Sequence, residues 1–158
     1  MTTLTKTAVK PTWSPSKVQE ETARLVASNC MASFQAAAKL GGDALTEFQT
    51  AGRQAKVAHL KSLGVSNALE LATALAEMEV NLFGSQIDIT GDEKTATLTY
   101  NKCGMWEAMK KLNPMTPEQE KEKAAGFQSC MQSLAQDLGL NASVKFEGET
   151  CAISFAKP

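Results

Sequence analysis

The stretch GSQIDITGDEKTATLTY (residues 84–100) changes the period of the chain. Up to Gly84 the apolar residues recur at helical spacing. Beyond it Ile87 and Ile89 alternate with Gln86, Asp88 and Thr90, and Ala96, Leu98 and Tyr100 alternate with Thr95, Thr97 and Thr99. A period of two sends successive side chains to opposite faces, and Thr90-Gly91-Asp92-Glu93 between the runs is turn chemistry. The stretch therefore predicts a β-hairpin with one apolar and one polar face. The same alternation closes the chain, where Val144 and Phe146 precede a turn at Glu147-Gly148-Glu149 and Cys151, Ile153 and Phe155 follow it.

Upstream of the first hairpin, three helices are expected. Ser14-Pro15-Ser16 starts the first, with Ser16 as cap and Gln19 completing a capping box. Val18, Leu25 and Ala32 recur every seven residues, with Val26, Cys30, Phe34 and Ala37 on an adjoining stripe, and Gly41-Gly42 ends the run. Asp43 caps a second helix reaching about Leu63, with Leu45, Phe48, Gly52, Ala55 and His59 on one face. Ser66 starts a third, on which Leu71, Leu75, Met78 and Leu82 form a stripe. Between the hairpins lie an amphipathic piece from Met105 to Leu112, a break at Asn113-Pro114, and a long helix. Thr116 caps that helix, Pro117 takes its first position, and Gln119 completes a capping box. Phe127, Cys130, Met131, Leu134 and Leu138 make its apolar stripe.

Helices and strands segregated in this way predict an α+β fold. N-terminal helices precede two β-hairpins that form an antiparallel four-stranded sheet, covered on one face by helices. Residues 1–13 read as a flexible N-terminal arm and residues 14–158 as a single α+β domain. The uncovered face would carry Asp88, Thr95, Thr97, Thr99 and Lys145, and would be either wet or a polar dimer surface.

Composition limits the partners. The 158 residues carry 16 Lys+Arg against 17 Asp+Glu, a net charge of −1, which gives no electrostatic basis for binding nucleic acid or an anionic membrane. No apolar run approaches the length of a spanning helix, and the first residues lack the apolar core of a secretory signal. The expectation is a cytoplasmic protein whose four cysteines are reduced thiols. Gly-rich phosphate loops, H-E-x-x-H, G-x-S-x-G and C-x-x-C are absent.

The cysteines are the most informative constellation. Cys103 follows the second strand, Cys130 sits on the stripe of the long helix, and Cys151 points to the helix-covered face of the last strand. Brought together, three thiols would line a ligand pocket, or form a soft site for zinc or iron, although nothing in the sequence requires a metal. Separately, each packs as a small hydrophobe. Tyr100 and Trp106 flank Cys103 and would wall the same pocket, or belong to the core. His59, the only histidine, could pair with Cys103 or Cys130 as base to nucleophile, or be a structural histidine. Glu77 and Glu79 flank Met78 and read as solvated.

From about Glu47 onward the pattern resembles the superfamily that holds the 4-vinyl reductase domain and the L-2-amino-thiazoline-4-carboxylic acid hydrolase-like proteins. The residues carrying the resemblance are Thr97-Leu98-Thr99-Tyr100-Asn101-Lys102-Cys103, Phe127-Gln128-Ser129-Cys130 and Gly148-Glu149-Thr150-Cys151-Ala152-Ile153-Ser154-Phe155. The order helices, hairpin, helix, hairpin is also that of the superfamily. Zinc-binding members carry an acidic residue and a further cysteine shortly before the final one, and Gly139-Leu140-Asn141-Ala142-Ser143 has neither. The hydrolase-like branch fits better, and implies hydrolysis of a small ring at a C–N or C–S bond in a pocket between helices and sheet.

Three readings of function follow. One is a small-molecule-binding domain with a cysteine-lined pocket, in its enzyme version a hydrolase of the aminothiazoline-carboxylate type, using Cys103 and His59 for catalysis and Cys130, Cys151, Trp106 and Tyr100 around the substrate. A second is a thiolate metal-binding or sensor module on Cys103, Cys130 and Cys151. A third is a non-catalytic accessory or structural subunit that self-associates, or joins a larger complex, through the Thr-rich sheet face or the N-terminal arm.

Overall fold

Both hairpins form, and they join through their second strands. The computed structural model describes residues 11–148 and 150–158. Residues 1–10 of the expected arm and Glu149 of the second turn lie outside the described residues, and Trp13 is exposed. The order is α1 (Pro15–Leu40), α2 (Ala44–Ser62), α3 (Ala68–Phe83), β1 (Gln86–Gly91), β2 (Thr95–Lys102), α4 (Gly104–Leu112), α5 (Pro117–Asp137), β3 (Asn141–Glu147) and β4 (Thr150–Ala156). The four strands make one antiparallel sheet in the order β1-β2-β4-β3, and the fold is α+β.

Register sorts the sheet residues into rows. Ile87–Tyr100–Cys151–Phe146, Ile89–Leu98–Ile153–Val144 and Gly91–Ala96–Phe155–Ala142 run across the face that meets α3 and α5. Leu98, Ile153 and Phe155 there join Leu60, Leu71 and Leu134 from the helices as the largest fully buried side chains. Each such burial contributes roughly 1.5–3 kcal/mol. α1 packs on α3 and α4, forming an outer layer, and α2 bridges α1 and α5. Among the described residues no helix is long and apolar enough to cross a membrane.

Several helical details differ from expectation. Ser14, not Ser16, caps α1 by accepting from the Lys17 N–H, with Pro15 at the first position; Gln19 instead donates from Nε2 to the Val80 carbonyl. Asn67, not Ser66, caps α3 by accepting from the Glu70 N–H, while the Glu70 carboxylate reaches back to the Ser66 N–H and hydroxyl. Asp43 makes no side-chain cap bond. The α5 capping box of Thr116 and Gln119 forms as expected.

Two helix faces are also rotated from expectation. On α1 the expected adjoining positions Cys30, Phe34 and Ala37 do face inward, together with Ala23 and Ala27, while Val26 and the stripe of Val18, Leu25 and Ala32 point to solvent. On α2 the buried residues are Val57 and Leu60, and Phe48, Gly52, Ala55 and His59 are exposed. On α1 three alanines share the inward face with Cys30 and Phe34, and on α2 Arg53 and Lys56 are half-buried beside Val57 and Leu60, positions that a reading by apolarity alone passes over.

Candidate functional site

A partly buried polar cluster is built where α3 ends. Gly84 takes the left-handed conformation (φ +65°) that terminates the helix; its N–H returns to the Val80 carbonyl and the Ser85 N–H to the Glu79 carbonyl. That turn carries Ser85 back over the last helical turn. Ser85 Oγ donates to Glu79 Oε2 at 3.1 Å and accepts from the Gly104 N–H at 2.9 Å. Gly104 begins α4, directly after Cys103. Tyr100, on the helix-facing row beside Cys151, is buried against the same region.

Cys103 serves as the N-cap of α4, its sulfur accepting from the Trp106 N–H at 3.5 Å. Burial pushes its pKa up to about 11, and the Glu79 and Glu107 carboxylates add to the rise against the pull of that N–H. Cys151 is likewise pushed up to about 11 by burial, with Cys103 as a second cause. Burial also raises Tyr100, helped by Glu79, Cys103 and Cys151. These groups influence one another electrostatically, and their shared effect is to hold protons on sulfur and oxygen. An activated thiolate needs the reverse, a cationic neighbour or a helix N-terminus strong enough to lower the pKa.

The other expected site residues go elsewhere. Cys130 is exposed on α5; it stands about 100° round the helix from the buried Met131, outside the stripe that seats Leu134 and Ala135. His59 is exposed on α2, whose chief neighbours are α1 and α5, and its ring makes no hydrogen bond among the described residues. The expected Cys103–His59 dyad is therefore not assembled. Trp106 is half-buried on α4. Among the described residues no group of three or more His, Cys, Asp and Glu is placed to hold a metal ion, so Cys103, Cys130 and Cys151 do not form the expected soft site. Two surface hollows, of about 350 Å³ beside Arg53, Lys61 and Asp137 and about 100 Å³ among Met31, Phe34, Met109 and Met115, have no cysteine in their walls.

Glu79 and Ser85 were the residues missed. Glu79 lies four residues after Leu75 and three after Ala76, both buried, so the helical period itself places it on the inward face, whereas Glu77 is exposed. Burial raises the Glu79 pKa above its ordinary 4.5, opposed by the Ser85 hydrogen bond and the Lys56 charge. The folded chain thus holds this proton more tightly than the unfolded one. Stability falls as pH rises from the unfolded value through the raised folded value, and stays lowered above it. Glu79→Gln keeps an acceptor for Ser85 and removes the charge. Its melting temperature should exceed the parent's at about pH 7, with the gap closing at about pH 4 and below. Superimposable curves of melting temperature against pH would show a freely solvated carboxylate instead.

Alkylation reads the thiols directly. At about pH 8 a thiol of pKa 11 is roughly one part in a thousand thiolate, against about a quarter for an ordinary cysteine. Cys103 and Cys151 should label on the order of 100-fold more slowly than an ordinary thiol, before any further slowing by access, and exposed Cys130 is the internal reference. Peptide mapping after timed iodoacetamide treatment measures this. Cys103 labelling as fast as Cys130 would restore it as a nucleophile.

Compared with known proteins, the chain matches no protein-family model and no curated protein sequence.

Proposed function

We propose that the chain is an accessory or structural association module that works through the open face of its sheet. The observation that carries the reading is the character of that face. Its rows are Asp88–Thr99–Ala152–Lys145, Thr90–Thr97–Ser154–Ser143 and, at the two ends, Thr95–Ala156–Asn141 and Thr150–Glu147. The helices that meet the strands, α3 and α5, pack on the opposite face. The centre is therefore a flat field of hydroxyls and methyls, with charge confined to the two edge strands. Thr97 and Ser154 already bond each other at 2.9 Å. Short side chains lose little conformational entropy when covered, so such a face can dock at low ordering cost.

The competing reading is the small-ring hydrolysis implied by resemblance, with Cys103 as nucleophile and His59 as base. It asks for a thiolate beside an imidazole. Burial and the Glu79 carboxylate keep the Cys103 proton in place, and His59 is exposed on α2. Association is the better-supported function.

A photo-crosslinking residue placed at Thr99, with Gln136 on the exposed side of α5 as control, tests it in cells that make the protein. Thr99 should yield one discrete adduct and Gln136 none. Thr97→Arg should remove the adduct while lowering the melting temperature by only about 2–4 °C, the share of the lost Thr97–Ser154 bond. No adduct at Thr99, or one indifferent to Thr97→Arg, overturns the reading.

A further inference from the structure

Resting on that reading, we propose that the partner is a second copy of this chain, docked face to face about a two-fold axis between β2 and β4 that runs parallel to the strands.

The argument comes from register. Because the order is β1-β2-β4-β3, a two-fold along the strands lays β1 of one copy over β3 of the other and β2 over β4. Asp88, Thr99, Ala152 and Lys145 share one row, so Asp88 of each copy meets Lys145 of the other at the same height. In the next row Thr90 meets Ser143 and Thr97 meets Ser154, hydroxyl on hydroxyl. The alternative two-fold, perpendicular to the strands, lays β1 over β1 and β3 over β3; β1 carries no basic residue, so Asp88 would face no opposite charge, and Lys145 would meet only the β3 edge that already supplies its Glu147 partner. Charge selects the first arrangement.

Distances allow it. Sheets pack about 10 Å apart, a gap that a lysine facing an aspartate spans. Within one chain Asp88 accepts from Asn101 Nδ2 at 2.7 Å through Oδ2, leaving Oδ1 for the partner. Lys145 pairs with Glu147, both exposed, and exposed pairs of this kind compete weakly for a lysine. Four strands about 4.8 Å apart and about seven residues long give a flat footprint of roughly 450 Å² per copy, about 900 Å² in all. That is the size of weak, transient interfaces. The association should therefore be reversible and micromolar or weaker, and the pairs at its rim should make it salt-sensitive.

Sedimentation equilibrium of the purified full chain from about 10 μM to about 1 mM is the test. The parent should pass from monomer to dimer over this range, and less readily in high salt. Asp88→Lys and Lys145→Asp should each weaken the dimer by about tenfold or more, since each sets like charges face to face. The double variant should recover it by re-pairing the charges in reverse. A parent that stays monomeric at the top concentration, or a double variant no better than the singles, overturns the proposal. If the Thr99 adduct nonetheless forms with a different protein, the association reading stands and only self-pairing fails. If neither dimer nor adduct appears, both fall.

Discussion

Gly104→Ala should be among the most damaging single methyl additions this chain can receive. A Cβ built on Gly104 would lie 1.9 Å from the Phe83 carbonyl oxygen and 2.8 Å from its carbon. Both atoms belong to backbone at the end of α3, so no side chain can rotate away; α3 and α4 must separate. Gly104 also supplies the N–H that Ser85 accepts, and Ser85 in turn holds Glu79. Moving the glycine breaks a buried hydrogen-bonded chain as well as a close contact. The expected loss is about 3 kcal/mol or more, at the upper end for overpacking. For a chain of this length that lowers the melting temperature by about 10 °C. Gly126→Ala is the matched control: Gly126 sits inside α5 with nothing within 4 Å of its built Cβ, so the substitution should stabilise by up to about 1 kcal/mol. Equal melting temperatures for the two variants would mean that the α3–α4 contact is loose.

How much of this was legible in the sequence depends on the physics of each element. The hairpins could be read because the pleat allows no compromise. Shifting Leu98 or Ile153 by one residue turns the whole strand inside out, so alternation reports both strand and face. The α5 start was legible because Thr116, Pro117 and Gln119 each do a different local job. Helix orientation was harder. The inward face of α1 sets three alanines beside Cys30 and Phe34, and Val18, Leu25 and Val26 stay outside. The seven-residue stripe of Val18, Leu25 and Ala32 lands on the solvent side, while the adjoining Cys30, Phe34 and Ala37 point inward.

The candidate site was harder again. Placing Cys151 beside Tyr100 needs the β2–β4 pairing, which joins two hairpins separated by α4 and α5. No local pattern specifies that join. Cys130 misleads because an apolar stripe about three residues wide includes flanking positions that a neighbour need not cover. Glu79 was hidden by its chemistry: a carboxylate reads as solvent-facing until the turn at Gly84 brings Ser85 to satisfy it. The open face, by contrast, is legible residue by residue in the alternation of Thr95, Thr97 and Thr99. Its charge complementarity appears only when four strands are aligned in register.

Phe155→Ala should cost more than Leu98→Ala, although both residues are essentially buried. The difference lies in their rows. Leu98 has Ile89, Ile153 and Val144 beside it, branched side chains able to lean into a vacancy. Phe155 stands between Ala96 and Ala142, with Gly91 at the row's end, so it alone fills that strip under the helices. Removing its ring leaves a row of nothing larger than methyl groups, and a cavity whose walls cannot collapse without bending the sheet. The cost of such truncations rises with the cavity that remains. Phe155→Ala should fall near the top of the usual range, about 4–5 kcal/mol, and Leu98→Ala nearer about 3 kcal/mol, measured by chemical denaturation. The reverse order would mean that α3 and α5 settle freely onto the sheet. The same variant also bears on association. Residue 155 faces the helices, so the rows through Thr99 and Thr97 keep their side chains. At a temperature where Phe155→Ala remains folded its self-association should match the parent's, whereas Thr97→Arg removes association at little cost in stability. Opposite responses from neighbouring positions on β4 and β2 would assign stability to one face of the sheet and association to the other.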